Sequence, residues 1–174
     1  MGDDNPNPVI YEAAGGDAVV LKHRALNDLL SGDSTDAESD YDEVTASEVY
    51  ESLRYLSDPE HPNLSLEQLK VVQPGHVWVD DTRIFIRFTP TVPTCSVATL
   101  IGLTIKAKLQ RSLPRRYKVD VEIFPGTHNQ EDQVNKQLND KERVAAALEN
   151  PALRSLINNG IAGTDRPDLS LLLA

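Results

Sequence analysis

Arg83-Ile84-Phe85-Ile86-Arg87-Phe88-Thr89-Pro90-Thr91-Val92-Pro93-Thr94-Cys95-Ser96 is the stretch on which the reading of this chain turns. Ile84, Ile86 and Phe88 alternate with Phe85 and Arg87, the period-two pattern of a half-buried strand. Pro90 and Pro93 end that strand, because proline has no N–H to give a ladder. Just upstream, residues 76–79 are a second strand candidate, and Asp80-Asp81-Thr82 is a short polar turn. The two runs should pair as an antiparallel hairpin. Downstream, a helix should start near Cys95 or Ser96, place Val97, Ile101, Ile105 and Leu109 on one stripe, and stop at Pro114. Lys118-Val119-Asp120-Val121-Glu122-Ile123-Phe124 then alternates more cleanly than any other segment, with Val119, Val121 and Ile123 facing in. A strand–helix–strand connection of this kind joins parallel strands. The expected fold is α+β: a three-stranded mixed sheet, one antiparallel hairpin plus one parallel strand, packed with helices.

Working outward, Thr45 and Glu48 have capping-box spacing, and Val49, Leu53 and Leu56 recur at helical intervals. Asp58-Pro59 should end that helix, since a residue before proline is pushed out of the α region. Residues 65–69 are expected to add a helical turn. After a Pro125-Gly126 turn, residues 131–150 read as helix with a break at Asn139-Asp140, where Asn139 and Glu142 repeat the capping-box spacing. Pro151 suits the first turn of a last helix ending near Gly160. The folded domain is therefore placed at residues 43–160, with a tail at 161–174.

Residues 1–42 hold ten acids and two bases, so they carry −8 of the formal net charge of −10. Rich in Asp, Asn, Gly and Ser, they bury too little apolar surface to offset ordering entropy, and are expected to be a poorly ordered acidic segment. An apolar patch at residues 18–30 is its one helix candidate, to form in a complex. The remaining −2 leaves the domain nearly neutral, which speaks against a phosphate-driven nucleic-acid binder. No apolar run approaches the roughly 20 residues that span a bilayer. A single cysteine excludes an intrachain disulfide, and the opening residues show no basic run followed by an apolar one, so no secretory leader is expected. The expected location is the cytoplasm or the nucleus.

Cys95 carries the most chemistry. At a helix start, unpaired N–H groups and the positive end of the dipole favour thiolate, the form that attacks electrophiles or binds metal. The competing reading is a small buried hydrophobe, a common fate of free cysteine. If the second and third strands are parallel, their C-terminal ends share one edge, where open sheets bind ligands. The loops there carry Thr94, Cys95 and Ser96 on one side and Thr127 and His128 on the other, so His128 should approach Cys95. An iron–sulfur cluster usually takes four thiolates. This chain offers one, so no cluster is held permanently by its own thiols. A transient cluster would draw its other ligands from a partner, a small thiol or a second copy in a homodimer.

Seven basic residues and no acid lie between Arg87 and Lys118. Arg111, Arg115 and Arg116 among them are either a solvated helix end or a docking patch for an acidic partner. Asp58-Pro59-Glu60-His61-Pro62 is a helix terminator or a rigid recognition loop, with Asp58, Glu60 and His61 as its contact candidates. Gly102 inside the helix should mark close packing on the sheet.

Four segments together resemble a known family: Asp58-Pro59-Glu60-His61-Pro62; Phe88-Thr89-Pro90-Thr91-Val92-Pro93 with Cys95-Ser96 and Ala98-Thr99-Leu100-Ile101-Gly102-Leu103; Arg111-Ser112-Leu113-Pro114; and Pro125-Gly126-Thr127-His128 with residues 134–150. They resemble the galla-type subunit of the eukaryotic cytosolic iron–sulfur assembly targeting complex. The resemblance implies an iron–sulfur-assembly-type domain. It implies an adaptor, not an enzyme, that works with a WD-repeat β-propeller subunit and a HEAT-repeat scaffold. Its clients would be apo iron–sulfur proteins of cytosol and nucleus, including replication and repair enzymes on which chromosome segregation depends. The family's reactive cysteine falls on Cys95. Two positions depart from the family pattern: Thr94 stands where histidine is usual, and Val97 where methionine is. Two other readings stay open, a thiol-dependent enzyme using Cys95 with His128, and a purely structural scaffold.

Overall fold

The computed structural model describes residues 5–13 and 43–164 of the chain. The patch at 18–30, most of the acidic segment and the end of the tail lie outside the described residues. Helix α1 spans Ala46–Arg54, and its capping box forms as the spacing predicts: the Thr45 side chain accepts from Glu48 N while the Glu48 carboxylate reaches back to Thr45 N. The helix ends at Arg54, four residues before Asp58, with Tyr55 as its C-cap. Asp58 is therefore no helix terminator; it sits buried in the turn beyond. Residues 65–69 close the single helical turn expected, with Leu69 N bonding Ser65 O at 3.2 Å and the Ser65 and Gln68 side chains capping each other's N–H groups, and an isolated bridge pairs Ser57 with Ser65.

A short 3₁₀ turn leads into β1 (Val77–Asp80), and Asp81-Thr82 turns the chain into β2 (Arg83–Phe88). The hairpin pairs Val77 with Ile86 and Asp80 with Arg83. Helix α2 (Ala98–Ser112) crosses over to β3 (Lys118–Ile123), which runs parallel to β2 with Ile84 opposite Val119 and Phe88 opposite Ile123. The sheet order β1-β2-β3 is the mixed arrangement expected. Alternation sends Ile84, Ile86, Phe88, Val121 and Ile123 into the core, all but fully covered. Trp78 and Phe85, paired across β1 and β2, lie on the opposite face, with Trp78 exposed.

Helices α3 (Glu131–Asn139), α4 (Lys141–Glu149) and α5 (Pro151–Ile161) complete the fold. The break falls where expected, but the cap is Asp140 and not Asn139: its carboxylate accepts from Glu142 N and Arg143 N. Asn150 caps α5 in the same way, ahead of Pro151. Gly102 packs against α3 and not against the sheet; a Cβ there would lie 2.4 Å from Leu138 Cδ1. Asn135 on α3 closes the outer edge of β3 by accepting from Ile123 N at 2.8 Å.

Residues 5–13, expected to be poorly ordered with the rest of the acidic segment, lie along the domain. Asn5 N donates to Glu60 Oε1, Tyr11 N donates to Gln68 O at 2.8 Å, and the Lys70 ammonium stands 3.7 Å from the centre of the Tyr11 ring. Two of these contacts use the segment's own peptide N–H groups, which composition does not reveal. Val9 and Ile10 remain exposed.

Candidate functional site at the C-terminal edge of the sheet

The parallel pairing of β2 and β3 brings their ends to one edge, where Phe124 N continues the ladder by bonding Phe88 O at 2.8 Å. The β2–α2 loop carries Cys95, and the β3–α3 loop carries Thr127 and His128. Gly126, at φ +79°, makes the second loop turn sharply, a conformation glycine adopts without strain. The Thr127 hydroxyl donates to Phe124 O at 2.6 Å and fixes that turn. Two bonds then latch the loops together: Asn129 N donates to Pro93 O at 2.9 Å, and His128 Nε2 lies 3.0 Å from Cys95 O.

The expected approach of His128 to Cys95 is thus observed, but to the backbone carbonyl and not to the sulfur. Gln130 N donates to His128 Nδ1 at 3.1 Å, so Nδ1 accepts and Nε2 carries the proton given to Cys95 O. Both nitrogens are committed to backbone. His128 is a latch, not a base beside the thiol.

Cys95 itself is 3% exposed. Helix α2 starts at Ala98, three residues later than Cys95, with Val97 as its N-cap. The backbone N–H groups of Val97 and Ala98 at the helix start favour thiolate, as expected. Burial outweighs them. It pushes the thiol up to about 11, and the negative charges of Glu60 and Asp58 add to the rise. In this conformation desolvation works against the expected activation of the thiol. Thr94 and Ser96 on either side of Cys95 are exposed.

The charges of Glu60 and Asp58 are felt at Cys95, which makes the Asp58-to-Pro62 turn part of its electrostatic surroundings. Asp58 is 1% exposed, and its Oδ2 accepts from Glu60 N at 3.0 Å, His61 N at 2.9 Å and His61 Nδ1 at 3.1 Å. Asp58 N in turn bonds Leu64 O, and Ser57 N bonds Gly160 O, which ties the turn to α5. His61 Nε2 is 2.7 Å from Asn5 O. Burial lowers the basicity of His61, yet the Asn5 carbonyl and the Asp58 carboxylate together hold its pKa above the ordinary value.

Arg111, Arg115 and Arg116 are exposed, but they are not at this edge. The 15 residues of α2 separate them from Cys95 by about 20 Å at 1.5 Å per residue. The basic run is not one patch either: Lys106 and Lys108 are 7% and 4% exposed, and burial lowers the pKa of Lys106. Asn5 was not a candidate from the sequence, because its contribution is a peptide group with no side-chain signature.

The chain was compared with known proteins. The profile of the iron–sulfur cluster assembly protein family matches residues 46–123, from the start of α1 to the end of β3. The mouse protein named cytosolic iron-sulfur assembly component 2B is 48% identical over 157 residues, covering 89% of this chain and 88% of that one. Protein AE7 of Arabidopsis thaliana is 47% identical, covering 88% of this chain and 92% of its own. MIP18 family protein galla-2 of Drosophila melanogaster is 48% identical, covering 91% and 95%. With this degree of identity across the domain and beyond it, the chain belongs to the MIP18 family of iron–sulfur cluster assembly proteins.

Proposed function

We propose that this protein is an adaptor in cytosolic iron–sulfur cluster assembly, passing clusters to apo-proteins of the cytoplasm and nucleus without catalysing a reaction of its own. The relatives named cytosolic iron-sulfur assembly component 2B support the assembly role. The observation that carries the finer reading is the place of Cys95. It is the chain's one thiol, it stands in the loop at the C-terminal edge of the sheet, and its neighbours Thr94 and Ser96 are exposed residues. A single thiolate supplies one of the usual four cluster ligands. A cluster that meets this chain is therefore shared cargo, its other ligands coming from a partner or a second copy. The buried, protonated thiol keeps the free chain inert, and docking that opens the β2–α2 loop exposes it.

The commitment of both His128 nitrogens to backbone supports the non-enzymatic reading, because among the described residues no imidazole is set to take a proton from the sulfur. Arg111, Arg115 and Arg116 at the far end of α2 give a separate basic surface for an acidic partner. The proposed partners are a WD-repeat β-propeller subunit, a HEAT-repeat scaffold and the apo client proteins. Burial of Cys95 favours one other reading, a scaffold in which the thiol takes no part.

Complementation separates them. In cells lacking the protein, wild type is expected to restore a cytosolic iron–sulfur enzyme and to co-purify stoichiometrically with a propeller subunit. Cys95→Ala is expected to keep the co-purification and lose the enzyme activity. Equal rescue by Cys95→Ala would falsify the role of the thiol and leave the scaffold.

A further inference from the structure

The two carboxylate oxygens of Asp58 are used unequally. Oδ2 accepts from three donors, whereas Oδ1 is buried with no hydrogen-bond partner among the described residues. The side chain is fully covered. Native structures satisfy such atoms with a proton, a buried water or a cation.

The surroundings favour the cation. One ligand atom each from Asp58, Glu60 and His61 lies within 4.8 Å of the others. Two carboxylates and an imidazole are a donor set for first-row divalent ions, whereas Mg²⁺ is a harder ion that seeks six oxygens. Zn–O and Zn–N bonds of about 2.0–2.2 Å set ligand atoms about 3.4 Å apart, so the three side chains close by about 1 Å around an ion. The segment that holds them open is residues 5–13. Asn5 N donates to Glu60 Oε1 and Asn5 O meets His61 Nε2, so the backbone of one residue engages two of the three groups. Cys95 lies outside this set.

We propose that Asp58, Glu60 and His61 form a binding site for a first-row divalent cation, and that the Asn5 backbone occupies Glu60 and His61 as a strap when no ion is bound. Metal and strap compete for the same two side chains. Binding of the ion releases the N-terminal segment, and loosening of the strap tightens the site.

Calorimetric titration of the full chain with Zn²⁺, with Co²⁺ absorption as a second readout, tests this. A Cys95→Ser background removes the thiol as a ligand. One equivalent of Zn²⁺ is expected to bind there, with Mg²⁺ failing to compete at equal concentration. The paired change Glu60→Gln and His61→Gln should weaken Kd at least tenfold, with an unaltered circular dichroism spectrum. Asn5→Pro, which deletes the N–H given to Glu60, should tighten Kd several-fold. Zn²⁺ affinity indifferent to the paired change, or absent in the Asn5→Pro chain up to millimolar concentration, overturns the site. A Kd unmoved by Asn5→Pro overturns the competition.

Discussion

The imidazole of His128 is bonded to the carbonyl oxygen of Cys95 at 3.0 Å and holds the loop that carries the thiol, not the thiol. One such side chain-to-backbone bond is worth about 1 kcal/mol. His128→Ala should therefore lower stability by about 1 kcal/mol, measurable by urea denaturation. It should also speed alkylation of Cys95 by iodoacetamide, because the β2–α2 loop opens more often. Slower alkylation in His128→Ala would point to a base instead of a latch.

The protonation of Cys95 gives a pH profile. Burial raises the thiol from an ordinary 9.0 to about 11 in the folded chain. Between those values the unfolded chain loses the proton and the folded chain keeps it. Stability is thus fully present below pH 9 and falls as pH rises toward 11. Tyr50, pushed from 10.0 up to about 12 by burial and by its bond to Glu67, adds a fall of its own in an overlapping window. Denaturation curves of wild type and Cys95→Ala therefore belong side by side: the part of the fall specific to Cys95 should vanish in the variant. Alkylation of the folded chain should climb about tenfold per pH unit with no plateau below about pH 11.

The sheet was legible because Ile84, Ile86, Phe88, Val121 and Ile123 obey a local rule, alternation, and the sheet needs nothing more to find its faces. Pro114, Pro151 and the Thr45–Glu48 pair are equally local. The state of Cys95 was not legible in the same way. Its helix-start N–H groups are a local property and are present, but they lose to burial. That burial is made by a loop latched from His128, 33 residues on, and two of the charges on it come from a turn 35 and 37 residues back. Asn139 and Asp140 show the limit at finer grain, since either spacing permits a cap and only backbone geometry chooses Asp140. The strap could not be read at all, because its key group is the peptide of Asn5, 55 residues from Glu60.

Gly102 sets how closely α2 and α3 approach. A Cβ there would meet Leu138 Cδ1 at 2.4 Å and Cδ2 at 2.8 Å, and Leu138 is fully buried. Alanine gains about 1 kcal/mol of helix propensity, but overpacking costs about 1–3 kcal/mol. Gly102→Ala is expected to destabilise by about 1 kcal/mol in net. In a Leu138→Ala background the same change should become neutral or stabilising, because the obstructing methyls are gone. Additive effects in that cycle, followed by chemical denaturation, would mean the two helices separate freely.

Glu67 joins α1 to the turn that follows it. Its Oε2 accepts from Arg54 Nε at 3.0 Å and its Oε1 from the Tyr50 hydroxyl at 3.0 Å, with Arg54 only 2% exposed. Arg54 also pairs with Glu51 at 2.8 Å, so removal of Glu67 takes one carboxylate from the guanidinium in a covered site and leaves Glu51 in place. Breaking one partner of a buried pair costs about 3–5 kcal/mol, and the surviving Glu51 contact puts Glu67→Ala toward the lower end. Replacing both charges, Arg54→Met with Glu67→Met, should recover part of that loss, because the guanidinium is no longer left behind, although Glu51 loses its Arg54 partner and the Tyr50 hydroxyl its acceptor. The comparison rests on midpoints of urea denaturation for the three variants. A double variant as unstable as Glu67→Ala would show that the network contributes through its own attraction and not through the cost of leaving Arg54 behind.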